Sequence, residues 1–186
     1  MAKRDHLKDY RLNDEGAYEY RGVLWKWGGA GKDAFLRSVA PAAAVGAAAL
    51  LALGFMPLGA HGSSFYVLVP YAVAMIGAIM CTFSLGRIAR EADPMRDHIY
   101  RAGVERLPLA CIPGCIGSVL AAAGCAAFAL VGGGQGVLPW LACVVMALAA
   151  ACFWRIRALA IATELTVVEG DAAALAAAQE GDGDGR

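Results

Sequence analysis

Long apolar runs alternate with short charged segments along the sequence, and this pattern predicts the main elements. Four runs contain no Asp, Glu, Lys, Arg or His. A helix needs about 20 residues to cross a ~30 Å hydrocarbon core, and each run approaches or exceeds that length. The runs cover residues 38–58, 64–85, 107–131 and 137–154. We therefore expect four membrane-spanning helices.

These runs divide the chain into three parts. Residues 1–34 form a polar N-terminal segment, residues 35–156 form the membrane bundle with a charged loop at 87–106, and residues 157–186 form a C-terminal tail. The tail ends in EGDGDGR, which predicts disorder. Short Gly-containing connections after the first and third runs predict two antiparallel helical hairpins. The predicted fold class is thus an all-α integral membrane protein, a four-transmembrane-helix bundle.

The positions of the basic residues predict the orientation of the bundle. Eight Lys and Arg lie in 3–37, five in 87–106 and three from residue 155 onward, whereas the connections 59–64 and 132–136 contain none. Lys and Arg are enriched in cytoplasmic loops. We therefore expect a multi-pass protein of the bacterial inner membrane, with the N- and C-termini and the central loop in the cytoplasm.

Composition supports a membrane protein. The chain is 59% hydrophobic and 17% charged, and its mean hydropathy is +0.55. Ordinary globular chains carry about 45–50% apolar and about 25% charged residues. The formal net charge is +0, so net charge says nothing about nucleic acid or acidic partners, and we expect no nucleic-acid partner. The lipid bilayer is the expected partner.

Small residues spaced four apart predict where the helices pack. Lipid supplies no hydrophobic force between helices, so they associate where small side chains allow backbones to approach. The predicted strips are Gly117-xxx-Ala121-xxx-Cys125, Gly77-xxx-Cys81, Ala42-xxx-Gly46 and Ala147-xxx-Ala151. Pro70 and Pro113 lie inside their runs, and each is expected to kink its helix because it removes an i→i−4 hydrogen bond.

Aromatic residues near the ends of the runs predict the membrane boundaries. Tyr and Trp favour the headgroup level because their rings carry an apolar body and a polar end. By this criterion Phe65, Tyr66 and Trp140 mark the outer boundary, and Phe83, Phe153 and Trp154 mark the inner one. We interpret them as anchors.

The segment YEYRGVLWKW precedes the first run and predicts a β-hairpin over residues 17–27. Its aromatic residues alternate with polar ones around Arg21-Gly22, which suits a two-residue turn. The expected opposed pairs are Tyr20 with Val23 and Tyr18 with Trp25. A lone hairpin is marginal in water, so it needs the bilayer interface or a third strand from 164–169. The alternative is an irregular interfacial segment.

The central loop predicts a short amphipathic helix on the cytoplasmic side. Asp93 followed by Pro94 is a favourable helix start, and Met95, Ile99 and Ala102 then share one helical face. Such a helix lies in the interface plane. It serves either as a docking site for a cytosolic partner or anionic lipid, or as a connector whose apolar side rests on the membrane.

Six cysteines are the most conspicuous candidates for chemistry. Four of them are expected in the inner half of the bundle, namely Cys81, Cys111, Cys115 and Cys152. Four thiolates can bind zinc or an iron–sulfur cluster, but ionic ligands are costly in hydrocarbon and free Cys packs as a small apolar residue. We expect structural cysteines and no metal or cofactor.

The remaining polar candidates do not predict catalysis either. The segment GGAGK at 28–32 lacks the spacing and the Ser or Thr of a phosphate-binding P-loop and is interpreted as a linker. His61 is expected in an outer turn, and His98 on a solvated face beside Asp97. The sequence predicts no catalytic residue, no cofactor-binding residue and no metal ligand.

These observations favour a non-enzymatic inner-membrane protein that acts as a scaffold or accessory subunit through its cytoplasmic face. Ion-coupled transporters usually carry a charged group at mid-membrane, which the four runs lack. The alternative is a small oligomeric transporter or export component built from duplicated helical hairpins. The expected partners are the lipid bilayer and either another protein or a second copy of the chain.

Overall fold

The computed structural model describes residues 10–12, 18–20, 23–29, 31–56, 64–131 and 136–168. Five helices and five short strands lie within these ranges. The helices are α1 Gly31–Phe55, α2 Phe65–Arg90, α3 Asp97–Ala102, α4 Leu107–Leu130 and α5 Leu138–Ile161. The strands are β1 Tyr10–Leu12, β2 Tyr18–Tyr20, β3 Leu24–Trp27, β4 Met95–Arg96 and β5 Leu165–Val168.

Four of the helices are long and apolar enough to cross a membrane, which confirms the predicted spans at this level. Their bounds differ from the apolar runs at the end of the bundle where the charged residues lie. Helix α1 begins at Gly31, α2 continues to Arg90 and α5 continues to Ile161. Helical hydrogen bonds do not depend on side-chain polarity. The apolar run therefore marks the hydrophobic length, whereas the helix extends beyond it.

The four long helices pack in the cyclic order α1, α2, α4, α5. Helix α4 has the most extensive contacts because it packs along both α2 and α5, and α1 packs more on α5 than on α2. The main partner of α2 is therefore α4, rather than its sequence neighbour α1. The connections at 57–63 and 132–135, on which the predicted helical hairpins depend, lie outside the described residues.

Glycines bring α2 and α4 into backbone contact. A Cβ atom added to Gly77 would lie 2.6 Å from the Cα of Gly114, and one added to Gly117 would lie 2.6 Å from the carbonyl oxygen of Pro70. Atoms cannot approach so closely, so these positions accept only glycine at the present helix separation. The predicted strip that begins at Gly117 is buried, with Ala121 and Cys125 both at 0% exposure.

The small-residue strips of the other helices have mixed outcomes. Gly46 in α1 is buried, and a Cβ atom there would lie 3.2 Å from the Cβ of Cys152 in α5. The strip from Ala147 to Ala151 packs only in part, because its two end residues are exposed while Ala149 is fully buried. The inward face of α5 combines such small residues with Met146 and Phe153. The packing prediction for α5 is therefore wrong at Ala147 and Ala151.

Pro70 and Pro113 both lie inside continuous helices. Proline has no N–H, so Pro70 cannot donate to the carbonyl oxygen of Tyr66 one turn earlier. A Cβ atom added to Gly124 would lie 2.9 Å from that oxygen. Gly124 thus lets the backbone of α4 lie against the carbonyl that Pro70 leaves without its helical donor.

Phe153 is not a boundary residue, contrary to the sequence interpretation. Its side chain is buried, and a Cβ atom added to Gly114 would lie 2.9 Å from carbon atoms of the Phe153 ring. The ring therefore fills the space opposite a glycine of α4. The neighbouring Trp154 is 64% exposed, as expected of an anchor.

The predicted hairpin over 17–27 is wrong in its pairing. Strand β2 pairs with β1, and Tyr18 lies opposite Leu12. Strand β3 pairs instead with β4 and β5, and Trp25 lies opposite both Met95 and Val167. The Arg21-Gly22 turn lies outside the described residues.

The third strand expected at 164–169 does form, as β5. Strand β3 ends just before α1, and β5 begins just after α5. Because α1 packs on α5, the two strands are brought side by side. Helix packing therefore gives β3 the partner β5, in place of the neighbouring strand that a local hairpin would have supplied.

The central loop contains less helix than predicted. Helix α3 begins at Asp97 and not at Asp93, and it ends at Ala102. Met95 belongs to β4, where its backbone pairs with Trp25 and its side chain is fully buried. Strand pairing thus replaces the first turn of the expected helix.

Two glycines of α2 test the importance of the α2–α4 contact. Gly77→Ala should destabilise the bundle by about 1–3 kcal/mol, the usual cost of overpacking, because the added methyl group displaces α4. Gly86→Ala is the matched control, since nothing lies within 4 Å of a Cβ atom there. It should raise stability by up to about 1 kcal/mol through helix propensity. Unfolding of the detergent-solubilised protein in a denaturing detergent, followed by helicity, measures both. Equal midpoints for the two variants would contradict this packing.

Candidate functional site

The most elaborate polar structure lies at the end of the bundle where α1 begins and α5 ends. We call it the polar cap, and define it as strands β3, β4 and β5 together with helix α3. The strand order is β4-β3-β5, and both pairings are antiparallel. Its three segments are separated by about 65 residues each in sequence, so the cap forms only when the helices have packed.

Trp25 connects the sheet to α3. Its ring stacks on Tyr100 with centroids 3.9 Å apart and an angle of 14° between the planes. Its Nε1–H also donates a 2.9 Å hydrogen bond to Oδ1 of Asp97. An offset aromatic pair contributes about 0.5–1.5 kcal/mol beyond its buried area. These two contacts fix the orientation of α3 on the sheet.

Asp97 is the polar centre of this arrangement. Its Oδ2 lies 2.8 Å from Nε of Arg101 one turn later, while its backbone N–H donates to the carbonyl oxygen of Val23. A carboxylate at the first turn of a helix also interacts favourably with the helix dipole. Both carboxylate oxygens therefore have partners, and the residue holds structure rather than offering a free acid or base.

The underside of the cap is continuous with the core of the bundle. Met95 and Leu107 are fully buried, and the ring of Trp27 lies 5.1 Å from that of Phe35 in α1. Ile88 near the end of α2 is fully buried in the same cluster. The cap is thus packed on the helix ends as part of one core.

Lys32 holds the end of α2 against the start of α1, and the sequence interpretation of GGAGK as a linker missed it. Its Nζ donates to the carbonyl oxygens of Ala89 and Glu91, at 3.0 Å for Ala89. These carbonyls lie at a helix C-terminus, where a cation is favoured. Gly29 and Gly31 have positive φ values of 59° and 80°, which glycine adopts without strain and which turn the chain into α1.

Exposed apolar and charged side chains lie on both faces of the sheet in the cap. Val167, opposite Trp25, is 52% exposed and Val23 is 41% exposed. The next opposed pair, Lys26 and Thr166, lies on the other face and is also exposed. Within the described ranges β5 pairs along one edge only, with β3. Unpaired strand edges and exposed apolar residues are common features of sites that bind another chain.

The cysteines are distributed through the helix contacts. The Sγ atoms of Cys81 and Cys111 lie 4.0 Å apart between α2 and α4, and Cys115 donates a 3.7 Å hydrogen bond to the carbonyl oxygen of Ala150. All six are free thiols. Among the described residues, no three His, Cys, Asp or Glu side chains come together as metal ligands would.

The two histidines considered in the sequence have different outcomes. His98 lies in α3 beside Asp97 and is half-buried rather than fully solvated. His61 lies outside the described residues. The cap thus presents a strand edge and exposed valines, while Asp97 and Arg101 are engaged in structural contacts.

Comparison of the chain with protein families, characterised proteins and solved structures finds no match.

A double-mutant cycle tests whether the Trp25–Tyr100 stack holds the cap together. Trp25→Ala and Tyr100→Ala should each speed amide exchange in residues 24–27 and 165–168. Their effects should be coupled by about 0.5–1.5 kcal/mol, as expected for residues in contact. Hydrogen–deuterium exchange of the solubilised protein provides the measurement. Trp154→Ala serves as the control, because this ring is 64% exposed on α5 and lies outside the cap. Purely additive effects would show that the stack does not stabilise the cap.

Proposed function

We propose that this chain is a non-enzymatic multi-pass protein of the bacterial inner membrane that acts as a scaffold or accessory subunit through its polar cap. One observation supports this function above the others. Segments 23–27, 95–102 and 165–168 form a single ordered surface at one end of the bundle. A membrane anchor does not require a sheet assembled from three separate segments, and such a sheet provides a defined surface on which another protein can bind.

The charges support a cytoplasmic location for the cap. Within residues 23–29, 31–56, 64–131 and 136–168, the basic residues all lie at the cap end: Lys26, Lys32, Arg37, Arg87, Arg90, Arg96, Arg101, Arg106, Arg155 and Arg157. Basic residues near the ends of spans are retained on the cytoplasmic side. The cap thereby faces the compartment in which a soluble partner would be available.

The edge of β5 is the part of the cap best suited to a protein partner. A free strand edge can accept a strand from another chain through backbone hydrogen bonds, while side-chain contacts provide specificity. Val167 stands exposed on this strand. Backbone groups and an apolar side chain thus lie together on a surface that the bundle holds in place.

Other function classes receive less support from the contacts. Asp97 and Lys32 are engaged in holding the cap, which favours a structural role for its charged groups. The backbone contact between α2 and α4 leaves no space between these helices at Gly77 and Gly114. A transporter, the alternative function, would therefore need a solute path away from this contact.

The orientation is tested by reporter fusions. Green fluorescent protein fused after Arg186 should fluoresce, because it folds in the cytoplasm, and alkaline phosphatase inserted within 132–136 should be active outside. The control exchanges the two reporters. Alkaline phosphatase fused after Arg186 should be inactive, and green fluorescent protein inserted within 132–136 should not fluoresce. Phosphatase activity at the C-terminus would contradict the cytoplasmic location of the cap.

The scaffold function is tested by photo-crosslinking in native membranes. A photoreactive phenylalanine at Val167 should form a discrete adduct with a partner protein, because this side chain is exposed on the free strand. The same amino acid at Val144, which is 65% exposed in the apolar first half of α5, is the control for contacts within the bilayer. Loosening the cap with Trp25→Ala should abolish the Val167 adduct, whereas Trp154→Ala should leave it intact.

Two outcomes would contradict the scaffold proposal. An adduct that persists after the cap is loosened would show that the ordered surface is not what the partner binds. Adducts restricted to Val144, together with solute uptake by the purified protein in liposomes, would favour the transporter.

A further inference from the structure

A groove of about 420 Å³ runs between α1 and α5 on the outside of the bundle. Its charged end is formed by Arg37 and Arg155, and its walls further along are apolar, with Val45 on α1 and Leu148 on α5. The groove exists because Gly46 and Cys152 bring the helices together below it, while Ala151 is too small to fill the space beside this contact.

The two arginines stand at the same end of the groove. Arg37 lies six residues after the start of α1, and Arg155 lies six residues before the end of α5. Strand pairing between β3 and β5 aligns these helix ends. Both side chains are exposed, and within the described residues neither forms an ion pair, in contrast to Arg96 and Arg101.

The apolar part of the groove is long enough to hold part of an acyl chain. Arg37 and Val45 are eight residues apart in one helix, which corresponds to about 12 Å, and Leu148 lies about 10 Å along α5 from Arg155. Val45 is 46% exposed and Leu148 is 49% exposed. The walls therefore extend from the charged end toward the middle of the apolar length.

We propose that this groove binds one anionic phospholipid, with its phosphate on Arg37 and Arg155 and an acyl chain between Val45 and Leu148. Guanidinium groups bind phosphate through paired charge-assisted hydrogen bonds, and basic pockets between helices on the cytoplasmic side are suited to acidic headgroups. The inference rests on the membrane insertion in the proposed function, but not on any partner of the cap.

Charge distinguishes this groove from two others on the same surface. One of these lies between α1 and α2 and is lined by Ala47, Leu51 and Met75 among others, and the second includes Phe65, Tyr66 and Leu120. Neither is lined by an ionisable Lys, Arg, Asp or Glu. Both can accommodate lipid tails, but only the α1–α5 groove combines an apolar slot with two cations.

The test compares lipid binding to the full chain by native mass spectrometry in mild detergent. The probes are dioleoyl phosphatidylglycerol and dioleoyl phosphatidylcholine, which share acyl chains and differ in net charge. The wild-type protein should bind the first molecule of phosphatidylglycerol at least about tenfold more tightly, a modest value for paired charge-assisted contacts. Arg37→Gln with Arg155→Gln should reduce this ratio to about one.

A second pair of substitutions controls for net charge. Arg90→Gln with Arg106→Gln also removes two cations from the same end of the bundle, but neither residue lines the groove. This control should keep the preference for phosphatidylglycerol. Equal losses in the two double variants would overturn the proposal, because they would indicate general attraction to a basic surface.

Filling the slot tests the acyl-chain part without changing charge. Ala42→Leu with Ala151→Leu should weaken phosphatidylglycerol binding about tenfold while both arginines remain, and circular dichroism verifies that the helices persist. An excess of glycerol 3-phosphate should not displace the lipid, since it lacks the chain. Full retention of binding in the filled groove, or displacement by glycerol 3-phosphate, would contradict a lipid site. A missing Val167 adduct would leave these results unaffected.

Discussion

The backbone contact between α2 and α4 determines where the other elements can lie. In the membrane that we propose for this bundle, lipid tails are as apolar as the helices, so close packing and the dispersion forces it brings must hold the bundle together. Gly77, Gly114 and Gly117 permit that contact, and Gly124 extends it to the carbonyl oxygen of Tyr66. Helix α5 then packs on the opposite side of α4, and α1 completes the ring against α5 and α2.

The polar cap follows from this ring of helices. The end of α2 and the start of α4 lie close together, so the short loop between them folds back as β4 and α3. The contact of α1 with α5 places β3 beside β5, and the Gly28 N–H completes the ladder by donating to the carbonyl oxygen of Glu164 at 3.0 Å. Lys32 then joins α1 to the end of α2. Short strands that would be marginal alone are stabilised because helices hold their ends.

The sequence predicts those features that depend on hydrophobicity and fails for those that depend on tertiary contacts. Apolar runs locate the four long helices, since hydrophobic length is a local property. Alternation predicts strands within residues 17–27 and β-favouring residues predict a strand at 164–169, but neither predicts the pairing of β3 with β5, which α1–α5 packing decides. The stack of Trp25 on Tyr100 joins residues 75 positions apart. Similarly, Arg37 and Arg155 appear as ordinary flanking cations until the helices bring them to one groove.

The groove and the cap share the same two helices, and this connects them physically. A ligand between α1 and α5 contacts the elements that carry β3 and β5 at their ends. Any lipid that favours the present separation of these helices also favours the strand pairing above it, and by thermodynamic linkage a partner on the sheet would favour lipid binding to the same degree. The connecting path is short, since Trp27 of β3 packs on Phe35 of α1, two residues before Arg37. The cap is therefore an extension of the helix contact that forms the groove.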